Sequence, residues 1–310
     1  MSGGSPSMDT TYRTRIAPSP TGNPHLGTFR TGYFNWLAAR QNPNGKFFIR
    51  IDDTDTERNV PGADTQFINI MEWLGLDWDG LFFQSKHFEK YKHYVQILLD
   101  GGYVKTLENG AIALNLDEDQ LPDSWEDTVV GQVRITDKDK ELISKLILFR
   151  GNEKGNLPLY HFTSIVDDWN MDINFIIRGS DHITNTTKQF AIWRALQLAT
   201  GKDTPFPKTA HIGLIHFQKK KLSKRDGAAS MDKYYEEGYD PDAMLNFMLR
   251  LGWGPTVDDK STAVLTKEDA LRLFISGGNM RSPASNMDLQ KLESFNRKFK
   301  SRKEKNGKNT

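Results

Sequence analysis

The sequence predicts an α/β protein built on a parallel sheet. Three observations predict it. The first hundred residues alternate strand-like and helix-like patterns, and a Pro- and Gly-punctuated loop joins the first strand to the first helix. In addition, 18 Phe, 7 Trp and 9 Tyr supply large side chains for a core. A length of 310 residues leaves room for about two domains.

Residues 14–17 read as a short strand and 18–27 as a loop. Phe29, Tyr33, Phe34 and Leu37 then recur at helical spacing over 28–39. Asn44-Gly45 marks a turn, and 46–51 read as a second strand running into the acidic cluster Asp52-Asp53-Thr54-Asp55. Residues 64–74 and 87–99 read as amphipathic helices. The pattern changes after residue 103. Short β-like runs at 111–116, 129–135 and 142–149 predict an inserted antiparallel piece. Segments 157–166 and 172–177 carry strand or helix-start patterns. Residues 186–200 predict a helix ended by Gly201, and 210–217 a strand followed by the basic run Lys219 to Arg225. A helix over 240–251 is marked by Asp240 as N-cap, Pro241 in the first turn and Gly252 as the stop. Another over 266–276 has cap chemistry in Thr266 and Asp269. From Arg297 onward the chain is basic and reads as frayed.

Composition narrows the function classes. The absence of cysteine excludes disulfides, thiolate nucleophiles and cysteine-ligated zinc, and fits a reducing, cytoplasmic setting. A net charge of +1 gives no whole-molecule signature of nucleic-acid binding. No run approaches a membrane span, and residues 1–8 lack the basic and apolar regions of a signal peptide.

Two stretches carry chemistry. Arg15-Ile-Ala-Pro-Ser-Pro-Thr-Gly-Asn-Pro-His-Leu-Gly-Thr28 places an arginine at a strand end, then a glycine-bearing loop, then His-x-Gly at a helix start. Glycines let backbone approach a phosphate, and a helix N-terminus offers N–H groups and a positive dipole. His25 suits a phosphate oxygen, a structural histidine being the alternative. The second stretch, Lys219-Lys-Lys-Leu-Ser-Lys-Arg225, reads either as a solvated basic loop or as a mobile loop. The mobile loop would bring Lys221 and Lys224 to a triphosphate.

Together these stretches resemble the His-Ile-Gly-His and Lys-Met-Ser-Lys-Ser signatures of class I aminoacyl-tRNA synthetases. Further words narrow the resemblance: Arg50-Ile-Asp-Asp-Thr-Asp-Thr-Glu-Arg58, Trp73-Leu-Gly-Leu-Asp-Trp78, Gln84-Ser85, Leu159-Tyr-His161, Val166-Asp-Asp168 and Ile177-Arg-Gly-Ser-Asp-His182. In this order they are similar to the glutamyl-tRNA synthetase catalytic domain, from about residue 14 to 292. The resemblance implies a Rossmann-like, doubly wound parallel sheet with a short β-rich insert and a C-terminal helical stem segment. The expected organisation is a flexible leader over 1–10 and catalytic halves over 11–102 and 158–235, flanking an insert over 103–157. A stem over 236–296 and a flexible basic tail over 297–310 follow.

The implied reaction joins ATP and glutamate into glutamyl-adenylate and transfers glutamate to tRNA. Mg2+ accompanies the ATP. Catalytic roles fall on His25, Lys221 and Lys224, and ATP binding on Gly22, His25, Gly27, Thr28 and Lys224. Glutamate binding falls on Arg15, Ala17, Ser19, Asp52, Tyr160, Ser164 and Arg178, with the arginines on carboxylates and Asp52 on the ammonium. The other reading of Arg15, Asp52 and Arg178 is an internal ion-pair network. Asp53 and Asp55 read as loop-fixing residues, and no metal ligands are assigned. Asp52 and Ser164 stand where bacterial-type relatives usually carry Glu and often Asn, which leaves glutamine open as the substrate. The short insert is acidic (Asp117, Glu118, Asp119, Asp123, Glu126, Asp127), and an acidic surface repels a phosphate backbone. A reduced tRNA-binding apparatus and a monomer without membrane contact are therefore expected. A non-tRNA acceptor or a modified tRNA base, and a non-catalytic binding module, stand as alternatives.

Overall fold

The computed structural model describes residues 10–22, 25–151, 157–222, 227–255, 264–274 and 278–307. Strand β1 (Arg13–Ile16) leads through helix α1 (Leu26–Arg40) to β2 (Lys46–Ile51), and α2 (Ala63–Trp73) leads to β3 (Gly80–Phe83). The three strands pair in parallel in the order β1-β2-β3. β3 was not foreseen, because its four residues are too short a run to carry a period. Helix α3 (Phe88–Asp100) completes this half. α1 is buried along most of its length, from Leu26 to Ala39. Such a helix has little alternation of sides, because it is covered on several faces.

The insert is antiparallel, as expected. β4 (Val104–Thr106), β5 (Ile112–Leu114) and, after a gap in sequence, β8 (Ile147–Phe149) form one sheet; β6 (Ser124–Asp127) and β7 (Gly131–Arg134) form a hairpin. The β-like run at 142–149 is corrected. Its first residues close helix α4 (Asp137–Ser144), and only its end is strand. The reason lies upstream, where Thr136 and Asp139 form a reciprocal capping box that starts a helix.

The second half runs α5 (Tyr160–Asn170), β9 (Phe175–Gly179), α6 (Ile183–Thr200) and β10 (Lys208–Ile212), with β9 and β10 parallel. Gly201 ends α6 in the left-handed region (φ 67°), where a side chain is disfavoured. The two parallel sheets meet edge to edge at β1 and β9. There the Asn174 N–H donates to the Arg13 carbonyl at 3.1 Å, and the Arg13 N–H donates to Asn174 Oδ1 at 2.8 Å. β1 winds away to β2 and β9 winds away to β10, so strand order reverses at this seam. Ligand crevices form at the carboxyl ends of strands at such a switch point.

β11 (Ile215–Phe217) and β12 (Lys220–Lys221) form a short hairpin, followed by α7 (Met231–Glu236) and α8 (Pro241–Arg250). β13 (Trp253–Pro255), α9 (Lys267–Leu273), β14 (Gly278–Met280) and β15 (Ser285–Asn286) precede the last helix, α10 (Leu289–Gly307). Asp240 caps α8 as expected, accepting from the Asp242 N–H at 2.9 Å. The basic segment after Arg297 is helical to Gly307 rather than frayed. Phe299 is buried, and Lys303 pairs with Asp240 (2.8 Å) and Asp242 (2.9 Å). Among the described residues no helix is long and apolar enough to cross a membrane.

Candidate active site

A cleft of about 370 Å3 opens at the seam, at the carboxyl ends of β1 and β9. Its phosphate-like end is built by α1. His25 is the N-cap, and its Nδ1 accepts the Gly27 N–H at 3.0 Å. With Nδ1 accepting, the ring proton is assigned to Nε2. A Cβ on Gly27 would stand 3.0 Å from His25 Nδ1, close enough that the imidazole would have to give way. Thr28 also lines the cleft, while Gly22 borders a smaller recess shared with His25 and Thr28. From the opposite wall Lys221 on β12 reaches Asp181 at 2.9 Å, and both line the cleft. Lys224 lies outside the described residues.

The other end holds the arginines. Arg15 and Arg178 are buried, and both line the cleft with Ala17, Ser19, Tyr160 and Ser164. Asp168 grips Arg15 in a fork, with Nε–Oδ1 at 3.0 Å and Nη2–Oδ2 at 2.9 Å. The edge expected to hold substrate is thus occupied from within. Arg50 is also in this network, at 2.6 Å from Asp168 and 2.7 Å from Asp52. It donates to Ser164 Oγ at 3.1 Å as well. Burial raises the Asp168 carboxyl, but Arg15 and Arg50 more than offset it and hold it below its usual range. Asp52 is less well compensated. Burial pushes it up to about 6, against the pull of Arg50 and with a further push from Asp167. Asp52 is not on the main cleft. It faces an adjoining cavity of about 200 Å3 that shares Ser19 and Tyr160.

Arg178 differs. Its Nη2 donates to Gln189 Oε1 at 2.7 Å and to Thr186 Oγ1, and its Nε donates to His211 Nε2 at 3.3 Å. Among the described residues no carboxylate lies within ion-pair distance of it. Burial lowers its guanidinium to about 10. A buried cation with neutral partners is costly, and an anion entering this corner of the cleft would offset that cost.

The catalytic-domain model of the class I tRNA synthetases (E and Q) matches residues 11–108 and 104–299. The chain belongs to the class I glutamyl- and glutaminyl-tRNA synthetase family. It is 34% identical over 333 residues to the glutamate–tRNA ligase of Nostoc punctiforme, covering 93% of this chain and 67% of that protein. It is 37% identical over 305 residues to that of Acholeplasma laidlawii, covering 93% and 64%. In fold it is similar to the crystal structure of a glutamate tRNA ligase from Elizabethkingia meningosepticum in complex with its amino acid, with a TM-score of 0.76 at 24% identity. That match covers 94% of this chain and 70% of the other. As a member of the class I synthetase family, the chain is an enzyme of the aminoacyl-tRNA ligase type, and the expected α/β architecture holds.

Sequence reasoning on the synthetase family words named Arg50 and Asp168 but gave them no role, and it overlooked Arg30. Arg30 is buried on α1 and donates to the Leu251 carbonyl at 2.6 Å and the Gly213 carbonyl at 2.8 Å, tying α1 to the segments after α8 and β10. A charged residue at a buried position of a helix was the available signal. Asp53 fixes its loop as foreseen, accepting from the Ser85 N–H at 2.8 Å and its hydroxyl at 2.6 Å. Asp127 does not belong to the acidic surface of the insert. It is buried and bonded to His211 at 2.6 Å.

Proposed function

We propose that this cleft binds ATP and glutamate side by side, forms glutamyl-adenylate and passes glutamate to tRNA. The observation that carries the reading is Arg178, a buried cation with neutral partners, in one cleft with the His25 end of α1 and Lys221. Glutamate brings two carboxylates, one to be recognised and one to react. Arg178 and the remaining N–H groups of Arg15 suit the carboxylates, and Ser19, Ala17, Tyr160 and Ser164 shape the pocket around them. Asp52, at the adjoining cavity, suits the ammonium group.

An oxygen of the reacting carboxylate attacks the α-phosphorus of ATP. The new P–O bond forms as the bond to the β-phosphate bridging oxygen breaks, and pyrophosphate leaves with its added charge. No covalent enzyme intermediate is required, so the protein's work is alignment and charge stabilisation. The N-terminus of α1, with Gly27 and Thr28, and the Nε2–H of His25 suit the phosphates. Lys221 and Lys224 suit the leaving pyrophosphate. Magnesium fits as an ion carried by the phosphates. Among the described residues no three His, Asp or Glu converge on one point to cage it. The names of the relatives favour tRNA over other acceptors.

ATP–pyrophosphate exchange with each amino acid tests the reading. Glutamate is expected to support exchange, and total tRNA to be charged with it. Exchange with glutamine but not glutamate, or with no amino acid, overturns it. Exchange without charging of tRNA assigns another acceptor.

A further inference from the structure

Arg178 is held by a chain of contacts that starts in the insert. Asp127 ends β6, and its side chain is wholly buried. Its Oδ1 accepts the N–H groups of Val129 (2.9 Å) and Val130 (3.0 Å), and its Oδ2 meets His211 Nδ1 at 2.6 Å. His211 lies on β10 directly opposite Arg178 on β9. Its Nε2 stands 3.3 Å from Arg178 Nε and 2.8 Å from Thr186 Oγ1.

The chemistry of this chain has a direction. A carboxylate only accepts, so the proton between Asp127 and His211 belongs on Nδ1. That leaves the Nε2 lone pair to accept from the Thr186 hydroxyl at 2.8 Å and from the Arg178 Nε–H at 3.3 Å. Burial lowers the His211 pKa despite the carboxylate, which keeps the ring neutral. With Nε and Nη2 both engaged, Nη1 is the guanidinium nitrogen without a hydrogen bond among the described residues. Each partner of Arg178 is neutral, so its charge stays available to a ligand.

We propose that Asp127 and His211 form a positioning relay that reaches from the insert to Arg178 and presents its guanidinium to the carboxylate of the substrate. The proposal rests on the reading that the cleft activates glutamate. It gives the insert a part in amino-acid recognition, through a pair that never touches substrate.

Asp127→Asn separates this from a merely structural bond. The amide oxygen keeps the Val129 and Val130 bonds, while its NH2 group faces Nδ1. The imidazole must then carry its proton on Nε2, where it opposes the Arg178 Nε–H. In exchange assays the glutamate KM is expected to rise about ten- to a hundredfold with the ATP KM unchanged, and the thermal midpoint to fall because Oδ2 also accepts the His211 N–H at 3.1 Å. His211→Gln places an amide oxygen near the Nε2 position and is expected to keep more glutamate affinity than His211→Asn. An unchanged glutamate KM in Asp127→Asn overturns the relay. So does a parallel loss of ATP and glutamate affinity. Should that variant not fold, 15N NMR of the wild-type imidazoles decides, with His211 assigned by its loss in His211→Gln. A neutral Nδ1–H ring is expected, and an Nε2–H ring or an imidazolium at neutral pH overturns the relay. Absence of glutamate-dependent exchange in the wild type sinks the functional reading instead, and leaves the tautomer measurement to judge the relay geometry.

Discussion

Arg15 and Arg178 are both buried beside one cleft, yet their charges are managed in opposite ways. Asp168 neutralises Arg15 through a bidentate fork, whereas Arg178 is surrounded by Thr186, Gln189 and the neutral ring of His211. The first is a positioned donor with its charge offset, and the second is a charge held in reserve. Asp52 sits between these regimes, with its carboxyl pushed up to about 6 by burial. Its charged form exists above that value, and lowering the pH neutralises it. Glutamate's own carboxyls titrate about two units lower and stay ionised at that point. The glutamate KM is therefore expected to rise as the pH falls through about 6, and Asp52→Asn to remove that inflection. An inflection that persists in the variant assigns the titration to another group. The sequence named both arginines and Asp52 through their match to the family words. It did not reveal which arginine is neutralised, since Asp168 is 153 residues from Arg15.

The elements divide by how local their cause is. Caps at Asp240 and Thr266 and the stop at Gly201 were legible because each depends on neighbours within four residues. β3 and β6 were not, because four-residue strands are made by their partners. The helix through the basic end was missed for the same reason. Its anchors, Phe299 in the core and Lys303 on Asp240, are tertiary contacts. The β11–β12 hairpin carries a further local cost. Its two turn residues, Gln218 (φ 50°) and Lys219 (φ 65°), both occupy the left-handed region without being glycine. A two-residue turn of this kind favours Asn-Gly, and each side chain forced into it costs about 1 kcal/mol or more. The double change Gln218→Asn, Lys219→Gly is expected to stabilise the protein by about 1–2 kcal/mol in urea denaturation. No gain, or a loss, would show that the flanking lysine segment compensates for the strained turn.

At the scale of the whole molecule, the two halves of the catalytic fold are joined by a buried ion network as well as by the β1–β9 edge. Arg50 on β2 reaches Asp168 on α5 and Asp52 beyond its own strand, with Asp167 at 3.8 Å. Removing its charge leaves the buried Asp52 without its main cation and takes a second one from Asp168, while Asp168 keeps Arg15 and Asp167 keeps Lys90 at 3.0 Å. Arg50→Met is expected to cost about 3–5 kcal/mol of stability in urea denaturation. A loss below about 1 kcal/mol would mean that the carboxylates take up protons at little cost.

By itself the sequence determined the α/β class, the antiparallel insert, the nucleotide-type loop at β1–α1 and the family. Those features are written in residue spacing and in side chains that act on near neighbours. Only the tertiary structure decided how charge is distributed among the buried arginines, that Asp127 belongs to the interior, and that Asp127 of the insert reaches Arg178 through His211. Those facts depend on groups distant in the chain, such as Asp127 and His211, 84 residues apart, and Arg15 and Asp168, 153 apart. In a buried, weakly screened interior, the partner a charge finds decides what that charge can do.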